Sequence, residues 1–128
     1  MSKAKDKILN KTIGQKIREA RMNNVIYEKE IGMETDGQFL GTYKTKKKTI
    51  TQSKLGKALG VTFQQIQKYE NGVNTISLYK LLLLTRFFNK VIKEVNKNTE
   101  NKKPYIGVET FTKPITQLIN GGDNDNKS

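Results

Sequence analysis

The sequence predicts a mostly helical fold, a small helical bundle with a β-hairpin inserted between its first and second helices. Three N-capping residues, Thr51, Thr62 and Ser77, each precede a stretch in which apolar residues recur at helical spacing. The helical period is absent from residues 25–48, which contain the turn-forming pair Asp36–Gly37. These observations place helices on both sides of a short antiparallel hairpin.

The first predicted helix begins near residue 8 and ends at Asn23–Asn24. Its apolar residues are Ile8, Leu9, Ile13, Ile17 and Ala20. Residues 1–7 are polar and lysine-rich, and we expect them to form a flexible basic arm. In the inserted hairpin, 25–48, a type I′ turn at Asp36–Gly37 is favoured because both residues accept positive φ. That turn would set Ile31, Met33 and Thr35 opposite Gln38, Leu40 and Thr42.

Three further helices follow the hairpin. Helix 2 starts after Thr51 and ends at Gly60, a residue suited to a left-handed C-cap. Helix 3 starts after Thr62 and stops at Asn71–Gly72. Helix 4 starts after Ser77 and is the main core element, with a wide apolar face formed by Leu78, Leu81, Leu82, Leu84, Phe87 and Phe88.

The predicted domain covers residues 8–98. Val91, Ile92 and Val95 either extend helix 4 or begin a fifth helix. Residues 99–128 are read as a C-terminal tail with a candidate strand from Tyr105 to Phe111, a candidate helix after Pro114 and a disordered end.

The net charge of +12 arises from 24 basic and 12 acidic side chains. Residues 1–98 contain 20 basic and 8 acidic side chains, whereas residues 99–128 contain 4 of each, so the whole excess lies in the first part. The positive electrostatic field that this excess creates favours binding to nucleic acid or to an anionic membrane surface. The alternative is a lysine-rich surface that is only solvated.

Several functional classes are disfavoured by what the sequence lacks. It contains no cysteine and no histidine, which removes disulfides, thiolate metal sites and the commonest general base. It also offers no paired carboxylates, no nucleophile with a base and no phosphate-binding glycine loop. We therefore expect no enzyme activity, catalytic site, metal, cofactor or small-molecule ligand. The longest apolar run, Leu81–Leu84, cannot cross a bilayer, and residues 1–10 lack a signal-peptide core, so we expect a cytoplasmic protein.

Helices 2 and 3 are short and are joined by a glycine-containing turn, which is the spacing of a helix-turn-helix motif. An ordinary helical hairpin in a small bundle is the structural alternative. The residues from Thr51 to Thr62, those from Tyr69 to Gly72, and Ile13 to Arg21 before the insertion resemble the phage repressor and Cro (XRE-like) family. This resemblance implies a lambda-repressor-like helical bundle that binds double-stranded DNA.

The resemblance also implies roles for individual residues. The implied recognition helix spans residues 62–71. Counted from Phe63, its first, second and sixth residues face bases, and these are Phe63, Gln64 and Lys68. Gln64 suits adenine and Lys68 suits guanine, while Phe63 either meets a thymine methyl or packs locally. Gln67 lies one helical turn after Phe63 and Gln64 and is a fourth candidate base contact.

Other residues are assigned to phosphates or to the fold. The candidate phosphate contacts in the motif are Gln52, Thr62, Gln65 and Asn71. For Gln52 the alternative is a solvated helix start, and Gln65 points sideways, to phosphate or solvent. The resemblance makes Arg21 and Glu70 a structural ion pair between helix 1 and the end of helix 3.

The insertion is the main departure from the family, which has a turn of a few residues there. Its return strand ends in a basic cluster, and Lys46, Lys47 and Lys48 are candidate phosphate contacts. Covering the core or mediating dimer contact are the alternatives for this hairpin.

The functional expectation is a sequence-specific transcriptional regulator acting as a homodimer on paired half-sites. Val91, Ile92, Val95 or the tail are the candidate dimer surface. The alternative is a protein-interaction module of antitoxin or anti-repressor type with the same fold.

Overall fold

The computed structural model describes residues 3–30 and 44–113. The elements in chain order are α1 (Lys3–Met22), β1 (Val25–Glu30), β2 (Lys44–Thr49), α2 (Gln52–Leu59), α3 (Phe63–Glu70) and α4 (Leu78–Lys97). Residues 109–113 form a last helical segment. This architecture confirms the predicted helical bundle with a β-hairpin between its first two helices.

Helix α1 begins earlier than the sequence pattern indicates. It starts at Lys3, so residues 3–7, expected to be a flexible arm, are helical. This stretch contains neither glycine nor proline, and Asp6 in the first turn complements the positive end of the helix dipole. The arm prediction relied on the lack of apolar residues, which does not prevent a helix from extending past its core contacts.

The hairpin is antiparallel, with Val25 opposite Thr49 and Glu30 opposite Lys44. An unbroken ladder closed by a two-residue turn at Asp36–Gly37 would instead place Val25 opposite Lys48. The observed register therefore differs by one residue from the register that this turn implies. The turn itself and the facing pairs expected between residues 31 and 42 lie outside the described residues.

The predicted caps of the three later helices are all present. The hydroxyl of Thr51 accepts the N–H of Lys54 at 3.1 Å, and the hydroxyls of Thr62 and Ser77 do the same for α3 and α4 at 3.2 Å. Gly60 ends α2 in the left-handed conformation with φ 71°. Helix α4 continues through Val95 without a break, so the apolar residues near its end extend it and form no fifth helix.

The core lies between the helices and one face of the hairpin. Helix α3 packs between α1 and α2, while α4 packs on α2 and on β1. The fully buried side chains include Ile17 of α1, Leu55 of α2, Ile66 of α3 and Leu84 of α4. Ile50, between β2 and α2, is also buried and attaches the end of the insertion to the bundle.

The sequence prediction for residues 99–113 is wrong. No strand forms between Tyr105 and Phe111; the chain is irregular to residue 107 and then helical. Phe111 is fully buried, with its ring centroid 6.3 Å from that of Phe88. The domain therefore continues past residue 98 to at least Phe111. The helix expected after Pro114 and the end of the tail lie outside the described residues.

Two asparagines of α4 hold this C-terminal stretch in place. The Asn89 amide donates to the carbonyl of Ile106 and accepts its N–H, both at 2.8 Å. Asn96 does the same with Lys103, at 2.9 and 2.8 Å. Each amide satisfies a donor and an acceptor of extended backbone, as a neighbouring strand would.

Within residues 3–30 and 44–113, the helices are too short or too polar to span a membrane.

The buried position of Phe111 predicts that Phe111→Ala destabilises the protein. Removing a fully buried phenylalanine ring costs about 3–5 kcal/mol. Urea unfolding followed by circular dichroism measures this loss, with Tyr105→Ala as the matched control because Tyr105 is 60% exposed. If both variants unfold at the wild-type urea concentration, residues 99–113 are a dispensable tail after all.

Candidate nucleic-acid interface

Helix α3 has one buried face and one exposed face. Ile66, Tyr69 and Glu70 are buried. The four candidate base contacts, Phe63, Gln64, Gln67 and Lys68, are all exposed. Phe63, at 47% exposure, does not pack into the core. The exposed face thus presents two amides, one cation and one aromatic ring on a single short helix.

Two close backbone approaches fix the position of α3. A Cβ at Gly14 of α1 would lie 2.2 Å from the carbonyl oxygen of Tyr69, and one at Gly56 of α2 would lie 2.6 Å from that of Val61. Any side chain at these positions would force the helices apart. Glycine therefore lets α1 lie directly against the last turn of α3, and it lets α2 lie directly against the turn that leads into α3.

The C-terminus of α3 is closed by a Schellman motif. Gly72 has φ 73°, its N–H donates to Tyr69 at 3.1 Å, and the N–H of Val73 donates to Lys68 at 2.9 Å. This closure fixes the last turn of α3, in which Lys68 lies. Asn71 is the C-cap and its side chain is exposed.

The Arg21–Glu70 ion pair implied by the family resemblance is present. Arg21 donates from Nε and Nη2 to the two carboxylate oxygens of Glu70 at 2.7 and 3.0 Å, a bidentate arrangement. Its third nitrogen, Nη1, donates to the carbonyl of Ile50 at 3.1 Å. The Glu70 side chain is 2% exposed, so this carboxylate depends on its partners.

Gln52 belongs to the same network. Its Nε2 donates to Glu70 at 3.2 Å, which ties the first turn of α2 to the last turn of α3. The alternative for Gln52 was a solvated helix start. The structure instead has its side chain half-buried. Its position agrees with bracing the recognition helix.

The remaining motif residues assigned to phosphates already have partners within the protein. The Thr62 hydroxyl caps α3. The Gln65 carbonyl oxygen accepts the Asn74 amide at 3.3 Å, which turns Gln65 to the side of the helix, as expected. Sequence reasoning missed Asn74, although its place just after the glycine that ends α3 is a typical position for a polar contact.

The hairpin lysines do not form one cluster. Because side chains alternate along a strand, Lys46 and Lys48 share a face while Lys47 lies on the other. Lys48 forms an ion pair with Glu28 at 3.0 Å, and Lys54 of α2 also pairs with Glu28. Lys48 is therefore held against β1, and phosphate contact by Lys46, Lys47 and Lys48 stays a prediction.

Glu28 is a site residue that sequence reasoning missed. It connects the inserted hairpin to α2 through Lys54 and so fixes the hairpin beside the motif. The sequence did not identify it, because the turn at Asp36–Gly37 implies a register with Glu28 opposite Thr45, whereas in the structure Glu28 lies opposite Lys46. In the described part of the chain, no three acidic side chains are close enough together to hold a metal ion.

Comparison with known proteins gave similarity in the motif region. Residues 44–93 match the family model described as helix-turn-helix. An uncharacterised HTH-type transcriptional regulator of Sinorhizobium medicae (strain WSM419) is 48% identical over 40 residues, 31% of this chain and 29% of that protein. A protein of the same description from Rhizobium meliloti (strain 1021) is equally similar. A third, from Sinorhizobium fredii, is 49% identical over 37 residues, which are 29% of this chain and 26% of that protein.

The chain thus spans less than a third of the length of these curated relatives. No solved structure matches it significantly.

The buried Glu70 carboxylate predicts a large loss of stability in Glu70→Ala, because Arg21 would be left without its partner. Removing one member of a buried pair costs about 3–5 kcal/mol. A double-mutant cycle with Arg21→Ala, in which urea unfolding gives the free energy of each variant, isolates the interaction free energy of the pair. Additive effects of the two substitutions would show that the pair does not couple α1 to α3.

Proposed function

We propose that the protein is a transcriptional regulator that binds double-stranded DNA sequence-specifically, and the match of residues 44–93 to the helix-turn-helix family model supports this proposal. The observation that carries the proposal is the exposed face of α3, where Gln64, Gln67 and Lys68 project from a helix whose other face is buried. These side chains have the donors and acceptors that read base edges.

In the proposed complex α3 lies in the major groove. Gln64 pairs its amide with adenine N6 and N7, and Lys68 donates to guanine O6 and N7. Gln67 reaches a neighbouring base. The 47% exposure of Phe63 favours contact with a thymine methyl over local packing.

Phosphates flanking that groove are bound from both ends of the motif. Gln52 and Gln65 each use only part of their amide within the protein, so N–H groups remain for phosphate oxygens. Asn71 projects from the end of α3. Thr62 can add its hydroxyl proton, since the capping bond uses the hydroxyl as an acceptor.

The inserted hairpin adds a weaker backbone contact. Lys46 and Lys47 are exposed, and Glu28 holds their strand beside the start of α2 through Lys54. Contacts of this kind raise affinity without adding sequence information. Lys48, paired with Glu28, contributes less than Lys47, which lies on the other face of the strand.

The protein acts as a homodimer in this proposal, because one recognition helix reads few base pairs. Val91 and Ile92, considered as a dimer surface from the sequence, are 6% and 3% exposed and belong to the core. Leu78, Tyr79 and Leu82 at the start of α4 are 64%, 68% and 50% exposed. These three form the apolar surface proposed to contact the second copy. A regulator of this kind works where the DNA is, in the cytoplasm.

Selection of bound duplexes from a random pool tests the proposed function. The wild type should enrich one palindromic sequence, with binding that weakens steeply as salt increases. Gln64→Ala and Lys68→Ala should each relax the preference at specific positions, at a cost of about 1–3 kcal/mol. Asn101→Ala, at an exposed position outside the motif, is the control. Enrichment of no sequence, or salt-insensitive binding to a protein partner, would refute the proposal in favour of an interaction module.

The dimer surface predicts that Leu82→Glu yields a monomer. A carboxylate at this position would have to be desolvated between two copies. Light scattering should show a dimer for the wild type and half that mass for the variant, while circular dichroism stays unchanged. Lys90→Gln on the same helix is the control, because it changes the net charge by the same amount. A wild-type protein that is monomeric at high concentration and binds half-sites as tightly as full sites would contradict the dimer.

A further inference from the structure

A groove lies between the first turns of α1 and the loop that follows α3. It is lined by Asp6, Lys7, Ile8, Lys11, Asn71 and Val73, with a volume of about 650 Å³. Asn71 is the candidate phosphate contact at the end of the recognition helix. The groove therefore adjoins the end of the proposed DNA-binding surface.

Two contacts build this groove into the fold. A Cβ at Gly72 would lie 2.7 Å from the backbone of Lys11, so α1 lies directly against the closing turn of α3. The Thr75 hydroxyl donates to Asn10 at 3.2 Å and holds the following loop to the same helix. The backbone of Lys11 is therefore fixed against the closing turn of α3, next to Asn71.

The charge of the groove suits a phosphodiester. Lys7 and Lys11 are one turn apart on α1, so both project from the same side. Both are exposed, and within the described residues neither forms an ion pair or a side-chain hydrogen bond. The single opposing charge among the lining residues is Asp6, which is also exposed.

The apolar side chains of the groove fit the same ligand. Ile8 and Val73 are 55% and 66% exposed, although both are branched apolar residues. A deoxyribose presents C–H groups next to the charged phosphate, so an apolar side chain beside a lysine matches one nucleotide of backbone. A lysine face that is only solvated would not need exposed apolar side chains beside the lysines.

We propose that Lys7 and Lys11 bind the DNA phosphate backbone on the outer side of the half-site, continuing the surface of Asn71 onto α1. This inference rests on the proposed function, because it places the duplex against the exposed face of α3. It adds one binding element that the sequence motif does not contain, since these lysines lie in the stretch that the sequence pattern assigns to an arm and to the start of a helix. Their contribution is to affinity and not to base preference.

The test is the salt dependence of binding to the selected duplex by the full chain. Each phosphate contact contributes about 0.9 to the slope of log K against log salt. Lys7→Gln and Lys11→Gln each remove one contact per subunit, hence two per dimer, so each should reduce the slope by about 1.8 and weaken binding about sixtyfold at 0.1 M salt. Asp6→Asn should strengthen binding. The enriched sequence should be the same for all three variants.

Lys93→Gln is the matched control, because Lys93 is an exposed lysine of α4 and its loss changes the net charge equally. If it lowers the slope as much as Lys11→Gln does, the effect belongs to the overall field and the proposal is overturned. It is overturned equally if Lys68→Ala weakens binding while Lys7→Gln and Lys11→Gln do not. Failure of the wild type to bind any duplex would overturn the proposed function as well.

Discussion

The guanidinium of Arg21 holds together three parts of the chain that are distant in sequence. It binds both carboxylate oxygens of Glu70 at the end of α3, and it also binds the carbonyl of Ile50, where the chain returns from the hairpin. Because the Glu70 side chain is 2% exposed, moving α1 away from α3 would leave a buried charge without its partner, and moving Ile50 away would leave Nη1 of Arg21 without its acceptor. The insertion can therefore leave α1 and return to α2 without disturbing the motif, provided that Ile50 reaches this point.

The proposed DNA-facing surface follows from that constraint. With Tyr69 and Glu70 held inward, α3 can present only its other face, on which Gln64 and Lys68 lie. The same packing of α1 on α3 brings Lys11 against Gly72, so the basic surface continues from the recognition helix onto the first helix. One buried ion pair thus determines both which residues face outward and which neighbours they have.

The local features of the fold were predictable because they depend on near neighbours in sequence. A hydroxyl at Thr51 or Thr62 caps the helix that follows, and Gly60 ends one whatever the rest of the chain does. Phe111 was not predictable: one aromatic residue in a polar stretch has no period, and its burial depends on α4. For the site, the candidate base contacts on α3 followed from the family resemblance. The pairing of Lys48 with Glu28 did not follow from the sequence, because it depends on the register of two strands that are joined by a long loop.

The central claim is that the outer face of α3 enters the major groove. Since the chain has no cysteine, a single introduced cysteine can carry an iron chelate that cleaves nearby DNA. On the selected duplex, Gln64→Cys should give cleavage confined to the half-site, centred on the major groove, whereas Tyr105→Cys should give little. Cleavage from position 105 with none from position 64, or cleavage spread evenly along the duplex from both, would contradict the claim.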